Sequence, residues 1–200
     1  MRGYYFITDA SLSRAGNLSD VKAAVAAGVK VVQYREKQAD ARKMYEEALK
    51  LRKICKHITF LVNDRVDLAL AVDADGVHLG QDDLPYAVAR KLLGPQKIIG
   101  ITVHTVEEAR QAQKLGADYL GVSPIFATHT KSDAGEPKGV ALIKQIRKQV
   151  SIPIIAIGGI TLANAGEVIR AGADGLCAIS AVVTKGDVKT EIKKFQRLFR

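Results

Sequence analysis

The feature that most limits how this chain can fold is an alternation that repeats eight times. Short runs rich in β-branched residues, bounded by turn residues, take turns with stretches whose apolar residues recur every three or four positions. The strand-like runs lie at Tyr4–Thr8, Lys30–Arg35, Thr59–Val62, Gly76–Leu79, Ile98–Thr102, Tyr119–Ser123, Ile154–Ile157 and Leu176–Ile179. The clearest helical stretches are Ala41–Cys55, Val106–Leu115 and Ala163–Ala171, and Thr105 with Glu108 forms a capping-box pattern. Leu115-Gly116-Ala117-Asp118-Tyr119 and Ala171-Gly172-Ala173-Asp174-Gly175 use one device twice. Glycine closes a helix in a left-handed conformation and the chain turns into the next strand. Ala27-Gly28-Val29-Lys30 and Val72-Asp73-Ala74-Asp75-Gly76 are looser copies.

Eight strand–helix units without a long interruption predict a single domain over residues 1–200, a (β/α)8 (TIM) barrel rather than an open two-sided sheet. No Gly-x-Gly-x-x-Gly follows the first strand, which argues against dinucleotide binding. Two hundred residues can bury a substantial core but are few for a fold that typically needs ~250, so compact loops are expected.

A net charge of +9 raises the question of nucleic acid. The basic residues are spread along the chain and concentrate on outer helix faces, as in Lys43, Lys50, Arg52 and Lys53. Six Tyr, five Phe and no Trp leave little for stacking bases, so no nucleic-acid partner is expected. Cys55 and Cys177 lack ligand-like spacing and read as buried apolar side chains. No apolar run approaches the ~18 residues of a membrane span, and Met1-Arg2-Gly3-Tyr4 runs straight into a strand. No membrane partner and a cytoplasmic location are the expectation.

Seven polar or glycine clusters each follow a strand-like run: Gln33 to Lys37, Asn63-Asp64, Gln81 to Asp83, Thr102 to His104, Thr128 to Lys131, Gly158-Gly159 and Ile179-Ser180. In a parallel barrel they gather at one end, where such enzymes keep their active sites. The strand period of two turns Gln33, Arg35 and Lys37 inward, and inward cations call for an anion. Asp64 and Asp83 stand above adjacent strands, which suits Mg2+ completed by water and phosphate oxygens; an N-cap and an ordinary turn are the plainer readings of each alone. Thr128, His129, Thr130 and Lys131 open a loop of about eleven residues, a length that often covers a site. Gly158-Gly159 lets backbone N–H groups approach an anion, and phosphate commonly binds after strands seven and eight, where Ile179-Ser180 ends the last strand. The histidines are too scattered for a zinc site, and His104 is the one nearest a substrate.

The residues resemble one family over nearly the whole chain, thiamine phosphate synthase (thiamin-phosphate pyrophosphorylase). The resemblance is carried by Gln33-x-Arg35-Glu36-Lys37, Asn63-Asp64, Gly76-x-His78-x-Gly80-Gln81-x-Asp83, His104-Thr105-x-x-Glu108, Gly121-x-x-Pro124-Ile125-Phe126-x-Thr128-x-Thr130-Lys131, Ile157-Gly158-Gly159-Ile160 and Ile179-Ser180. It implies a barrel transferase that joins hydroxymethylpyrimidine diphosphate to a thiazole phosphate, generally the carboxylated form that loses CO2. The products are thiamine monophosphate and diphosphate, reached by a dissociative path. It further implies that Gln33, Tyr34, Arg35, Glu36, Lys37, Asn63, Thr102 and Lys131 hold the pyrimidine diphosphate and that Asp64 and Asp83 hold Mg2+. Thr128, His129, Thr130, Gly159, Ile179 and Ser180 would receive the thiazole phosphate. Arg35, Lys37 and Lys131 would act on the leaving group; with two carboxylates and Mg2+ they leave a net +3 opposite a diphosphate of roughly −3. Thr102 stands where the family usually has serine. Homodimers are common among such relatives, and no interface is legible here. A thiazole tautomerase on the same fold is the nearest rival; it would have no use for Arg35, Lys37, Asp64, Asp83 and Lys131.

Overall fold

The computed structural model describes residues 1–128, 130 and 135–199. Its strands are β1 (Gly3–Tyr4), β2 (Phe6–Ile7), β3 (Val31–Tyr34), β4 (Thr59–Asn63), β5 (Gly76–Leu79), β6 (Ile98–Val103), β7 (Tyr119–Val122), β8 (Ile154–Ile157) and β9 (Gly175–Cys177). Helices α1 (Asn17–Ala27), α2 (Ala41–Ile54), α3 (Val66–Ala71), α4 (Tyr86–Leu93), α5 (Val106–Leu115), α6 (Gly139–Arg147), α7 (Ala165–Arg170), α8 (Ile179–Val183) and α9 (Val188–Gln196) alternate with them. Every strand pair is parallel, in the order β1-β9-β8-β7-β6-β5-β4-β3-β2.

The first strand-like run is split at Tyr5. Its β1 half pairs with β9 and its β2 half with β3, so one extended segment closes the ring and the eight expected barrel positions are filled. The Tyr5 N–H donates to the Leu176 carbonyl at 2.9 Å across that seam. The last strand stops at Cys177, two residues before its expected end. Ile179 instead opens α8, because the chain must turn over the barrel rim after Ala178, whose carbonyl accepts from Tyr4 Oη at 3.1 Å. The stretch expected to be helical from Ala163 begins at Ala165, since the Asn164 side chain accepts from the Thr161 N–H and holds a turn there.

Strand alternation sorts the core into two layers. Val32 and Tyr34 face the helices with the larger cluster, whereas Val31 points into the barrel with Tyr5, Ile7, Leu61, Tyr119, Ile155 and Cys177. Both cysteines are buried, and burial raises both thiol pKa values, that of Cys55 to about 12.

The repeated helix-to-strand device has a physical role at the base. Asp75, Asp118 and Asp174 each precede a strand and accept from an N–H in the first two residues of the strand before: Phe60, Ile99 and Ile154, at 2.7, 2.8 and 2.8 Å. Each also pairs with an arginine on the preceding outer helices, Arg52 of α2, Arg90 of α4 and Arg147 of α6. Gly116 and Gly172 take left-handed φ of 97° and 108° as the device requires. In the fourth copy Lys30 stands where the aspartate would be.

Candidate active site

A cavity of about 260 Å³ opens at the C-terminal end of the strands and collects residues from all around the ring. Gln33, Arg35, Lys37, Asn63, Asp64, Asp83, Thr102, Thr128, Thr130, Gly159, Ile179 and Ser180 all line it. The structure therefore brings these sequence-derived residues together. Two others stand apart. Tyr34 faces outward, where its hydroxyl donates to Glu47 of α2 at 2.9 Å, and the Glu36 carboxylate accepts from the Gln38 N–H at 2.6 Å. Side chains alternate along an extended chain, so the inward turn of Gln33, Arg35 and Lys37 sends these two away from the cavity. His129 and Lys131 lie outside the described residues.

An eighth cluster, Thr8-Asp9 after β2, escaped the sequence reading although it occupies the same position as the other seven. Asp9 is buried, at 4 % exposure, and its carboxylate pairs with Arg35 Nη1 at 3.2 Å. Thr8 fixes the same residue's backbone: Thr8 Oγ1 accepts from the Arg35 N–H at 2.9 Å and donates to the Arg35 carbonyl at 3.1 Å. The guanidinium is thus held before any ligand arrives. Counting Asp9 lowers the cationic excess expected of the site by one.

Asp64 follows β4 with a φ of 61°, in the left-handed region that a non-glycine residue rarely enters. Its N–H donates to the His78 carbonyl at 2.8 Å, locking the turn to β5. The turn presents its carboxylate to Lys37 Nζ and to Asp83. Asp83 also accepts from the Gly80 N–H at 2.6 Å. Burial, followed by the hydrogen bond with Asp64, pushes the Asp83 carboxyl above the usual carboxylate range; the Gly80 N–H and Lys37 pull the other way. Two carboxylates brought this close together are the kind of donor set that a hard divalent cation takes. Among the described residues no group of three or more His, Cys, Asp or Glu converges, so this pair fits a cation that takes its other ligands from water and substrate.

The opposite rim is formed by the loops that follow β7 and β8. Gly159 has a φ of 61°, and a Cβ there would lie 2.4 Å from the Ala127 carbonyl oxygen, so only glycine lets the β8 loop lie against the β7 loop. Asn164 Nδ2 donates to the Gly159 carbonyl at 3.0 Å and holds this turn from below. Thr128 Oγ1 accepts from the Thr130 N–H at 3.3 Å. His104 also lines the cavity, with Nδ1 2.5 Å from the Ser123 carbonyl and its backbone N–H donating to Glu108 at 2.7 Å. A carbonyl can only accept, so Nδ1 carries the proton. The capping box is present, with Glu108 reaching back one residue further than the usual pattern.

Known proteins resemble this chain over nearly its whole length. A family model described as thiamine monophosphate synthase matches residues 4–182. The thiamine-phosphate synthase of Methanosarcina barkeri is 54 % identical over 198 residues, 98 % of this chain and 90 % of the relative. That of Chloroflexus aurantiacus is 54 % identical over 197 residues, covering 97 % and 91 %. Among solved structures, the thiamine phosphate pyrophosphorylase of Pyrococcus furiosus superposes with a TM-score of 0.90 at 41 % identity, covering 98 % of this chain and 94 % of that one.

Proposed function

From the premise that this chain belongs to the thiamine monophosphate synthase family, we propose that its cavity joins hydroxymethylpyrimidine diphosphate to carboxythiazole phosphate. The products are thiamine monophosphate, diphosphate and CO2. The observation that supports this reading is that one cavity is lined on one side by Arg35, Lys37, Asp64 and Asp83 and on the other by Gly159 and Ser180. Two substrates that each bear phosphate need two such sides.

Asp64 and Asp83 would hold Mg2+, which supplies positive charge to the departing diphosphate. Arg35, oriented by Asp9, and Lys37 face that diphosphate and stabilise the charge that develops on it. Lys37 is engaged with Asp64 and, with that carboxylate holding Mg2+, would be free to meet a phosphate oxygen. Lys131 would join them. The pyrimidine methylene left behind is cationic and shares its charge with the aminopyrimidine ring, and the thiazole nitrogen closes on it. The Gly159 turn, Thr128, Thr130 and Ser180 would seat the thiazole phosphate so that this nitrogen approaches in line. The thiazole carboxylate then leaves as CO2, its ring carbon takes a proton from water, and no step calls for a strong base.

Incubation of the protein with both substrates and Mg2+, followed by assay for thiamine phosphate and diphosphate, tests the reading. Mg2+-dependent formation of both products is the expected result. Migration of the thiazole double bond with no product would make the protein a tautomerase instead.

A further inference from the structure

Between the apolar barrel floor and the charged rim runs a row of polar groups whose inner members take no part in the steps above. Gln33 Nε2 donates to Tyr5 Oη at 2.8 Å, and Tyr5 Oη lies 2.7 Å from Tyr119 Oη. Tyr119 Oη lies 2.8 Å from His78 Nδ1, and His78 Nε2 lies 2.8 Å from Thr102 Oγ1. The row thus ends in two residues that line the cavity, Gln33 and Thr102, on strands from different parts of the ring. Its interior is sealed: Gln33, Tyr5 and Tyr119 are 1–2 % exposed. The sequence makes room for it as well. A Cβ on Gly100 would come within 2.1 Å of the Tyr119 ring, and one on Gly121 within 2.8 Å of His78 Cε1.

Hydrogen-bond inventory gives this row a direction. An amide NH2 only donates, so Tyr5 accepts from Gln33. The buried Tyr5 proton then has Tyr119 as its acceptor, and the Tyr119 proton has His78 Nδ1. Burial keeps both phenols protonated, raising their pKa values. The imidazole therefore carries its proton on Nε2 and gives it to Thr102 Oγ1. The cavity receives a carbonyl acceptor from Gln33 at one end and a hydroxyl donor from Thr102 at the other.

We infer that Tyr5 and Tyr119 are positioning residues whose phenol pair sets the polarity of the pyrimidine subsite, acceptor at Gln33 and donor at Thr102, and so selects an aminopyrimidine over its oxo analogue. The inference rests on the function proposed above. An aminopyrimidine offers N–H donors on its amino group and bare ring nitrogens as acceptors, which complements this arrangement. A 4-oxo ring offers a carbonyl and a ring N–H. Running the row backwards, with His78 protonated on Nδ1, would turn the Gln33 NH2 toward the cavity and favour that ring instead.

Nitrogen-15 NMR of the histidine rings tests the direction in the unaltered protein. His78 is expected as the neutral Nε2–H tautomer, and an Nδ1–H tautomer would overturn the inference whether or not the enzyme turns over. Tyr119→Phe, with Tyr5→Phe as the second variant, tests the consequence. Each should raise KM for the pyrimidine diphosphate about tenfold and leave that for the thiazole phosphate within about twofold, because a buried polar group loses its partner on one side only. The ratio of inhibition constants for hydroxymethylpyrimidine monophosphate and its 4-oxo analogue should fall by a similar factor. Equal losses for both substrates, or an unchanged amino-over-oxo ratio, would reduce the row to a packing element. Failure of the unaltered protein to make thiamine phosphate would sink the proposed function while the tautomer still reports on the row.

Discussion

The two ends of the barrel use the same residue, aspartate, in opposite ways. At the base Asp75, Asp118 and Asp174 each meet an arginine and a strand N–H. At the rim Asp64 and Asp83 meet each other, one of them on a left-handed backbone. The carboxylates at the base tie strand starts to helices, whereas those at the rim, held by Lys37 and the Gly80 N–H, stand beside each other with one on a strained backbone and one raised above its ordinary pKa. Strained backbone and shifted carboxylates of this kind cluster at functional sites. Asp9 stands between the two kinds: it sits at the rim but is fully paired, and what it holds in place is a cation of the site.

The contrast can be broken most severely at Asp64. Asp64→Asn should cut turnover on the order of a hundredfold or more if the pair holds a cation as proposed, since half the charge opposite it is lost. Asparagine tolerates the left-handed backbone, so the thermal midpoint should hold; a midpoint that falls together with turnover would make Asp64 structural. Asp9→Asn comes next. Releasing Arg35 should lower kcat/KM for the pyrimidine diphosphate about tenfold, with KM for the thiazole phosphate unchanged. Asp118→Ala probes the other end: stability should fall by about 1–2 kcal/mol in denaturant titration, as a charged acceptor of a backbone N–H is lost from a half-exposed pair, while kcat stays put.

The smallest effect sharpens the contrast through pH. Asp83 keeps its proton to a higher pH in the folded chain than in the unfolded one, so the folded state binds more protons. Its contribution to stability is complete below the ordinary carboxylate range and is lost as pH rises through the raised value. A divalent cation rewards the ionised pair instead. Millimolar Mg2+ should therefore raise the thermal midpoint more at about pH 8 than at about pH 5, and an equal shift at both would detach Asp83 from the cation.

The barrel was legible because its period is strong: Gly76–Leu79 and Val106–Leu115 have the bounds their patterns predict. Ile179 was misassigned to a strand because β-branching favours extended structure, and the turn over the rim overrode that local preference. At the site, alternation correctly turned Gln33, Arg35 and Lys37 inward, and it also implied that Tyr34 and Glu36 point away, which the family likeness obscured. Asp9 was not legible as a site residue because its partner Arg35 lies 26 residues away, beyond the reach of any local pattern. The Tyr5–Tyr119 row was not legible at all, since its members lie 114 residues apart and read singly as core aromatics.

Asp83→Asn, measured for turnover and for thermal unfolding on the same preparation, tests the account most directly. Removing one of the two neighbouring carboxylates should collapse turnover and leave the midpoint equal or higher, because the cost of burying an ionisable group beside Asp64 disappears. A lower midpoint with proportionate loss of activity would show that the rim carboxylates are structural, as those of the base are.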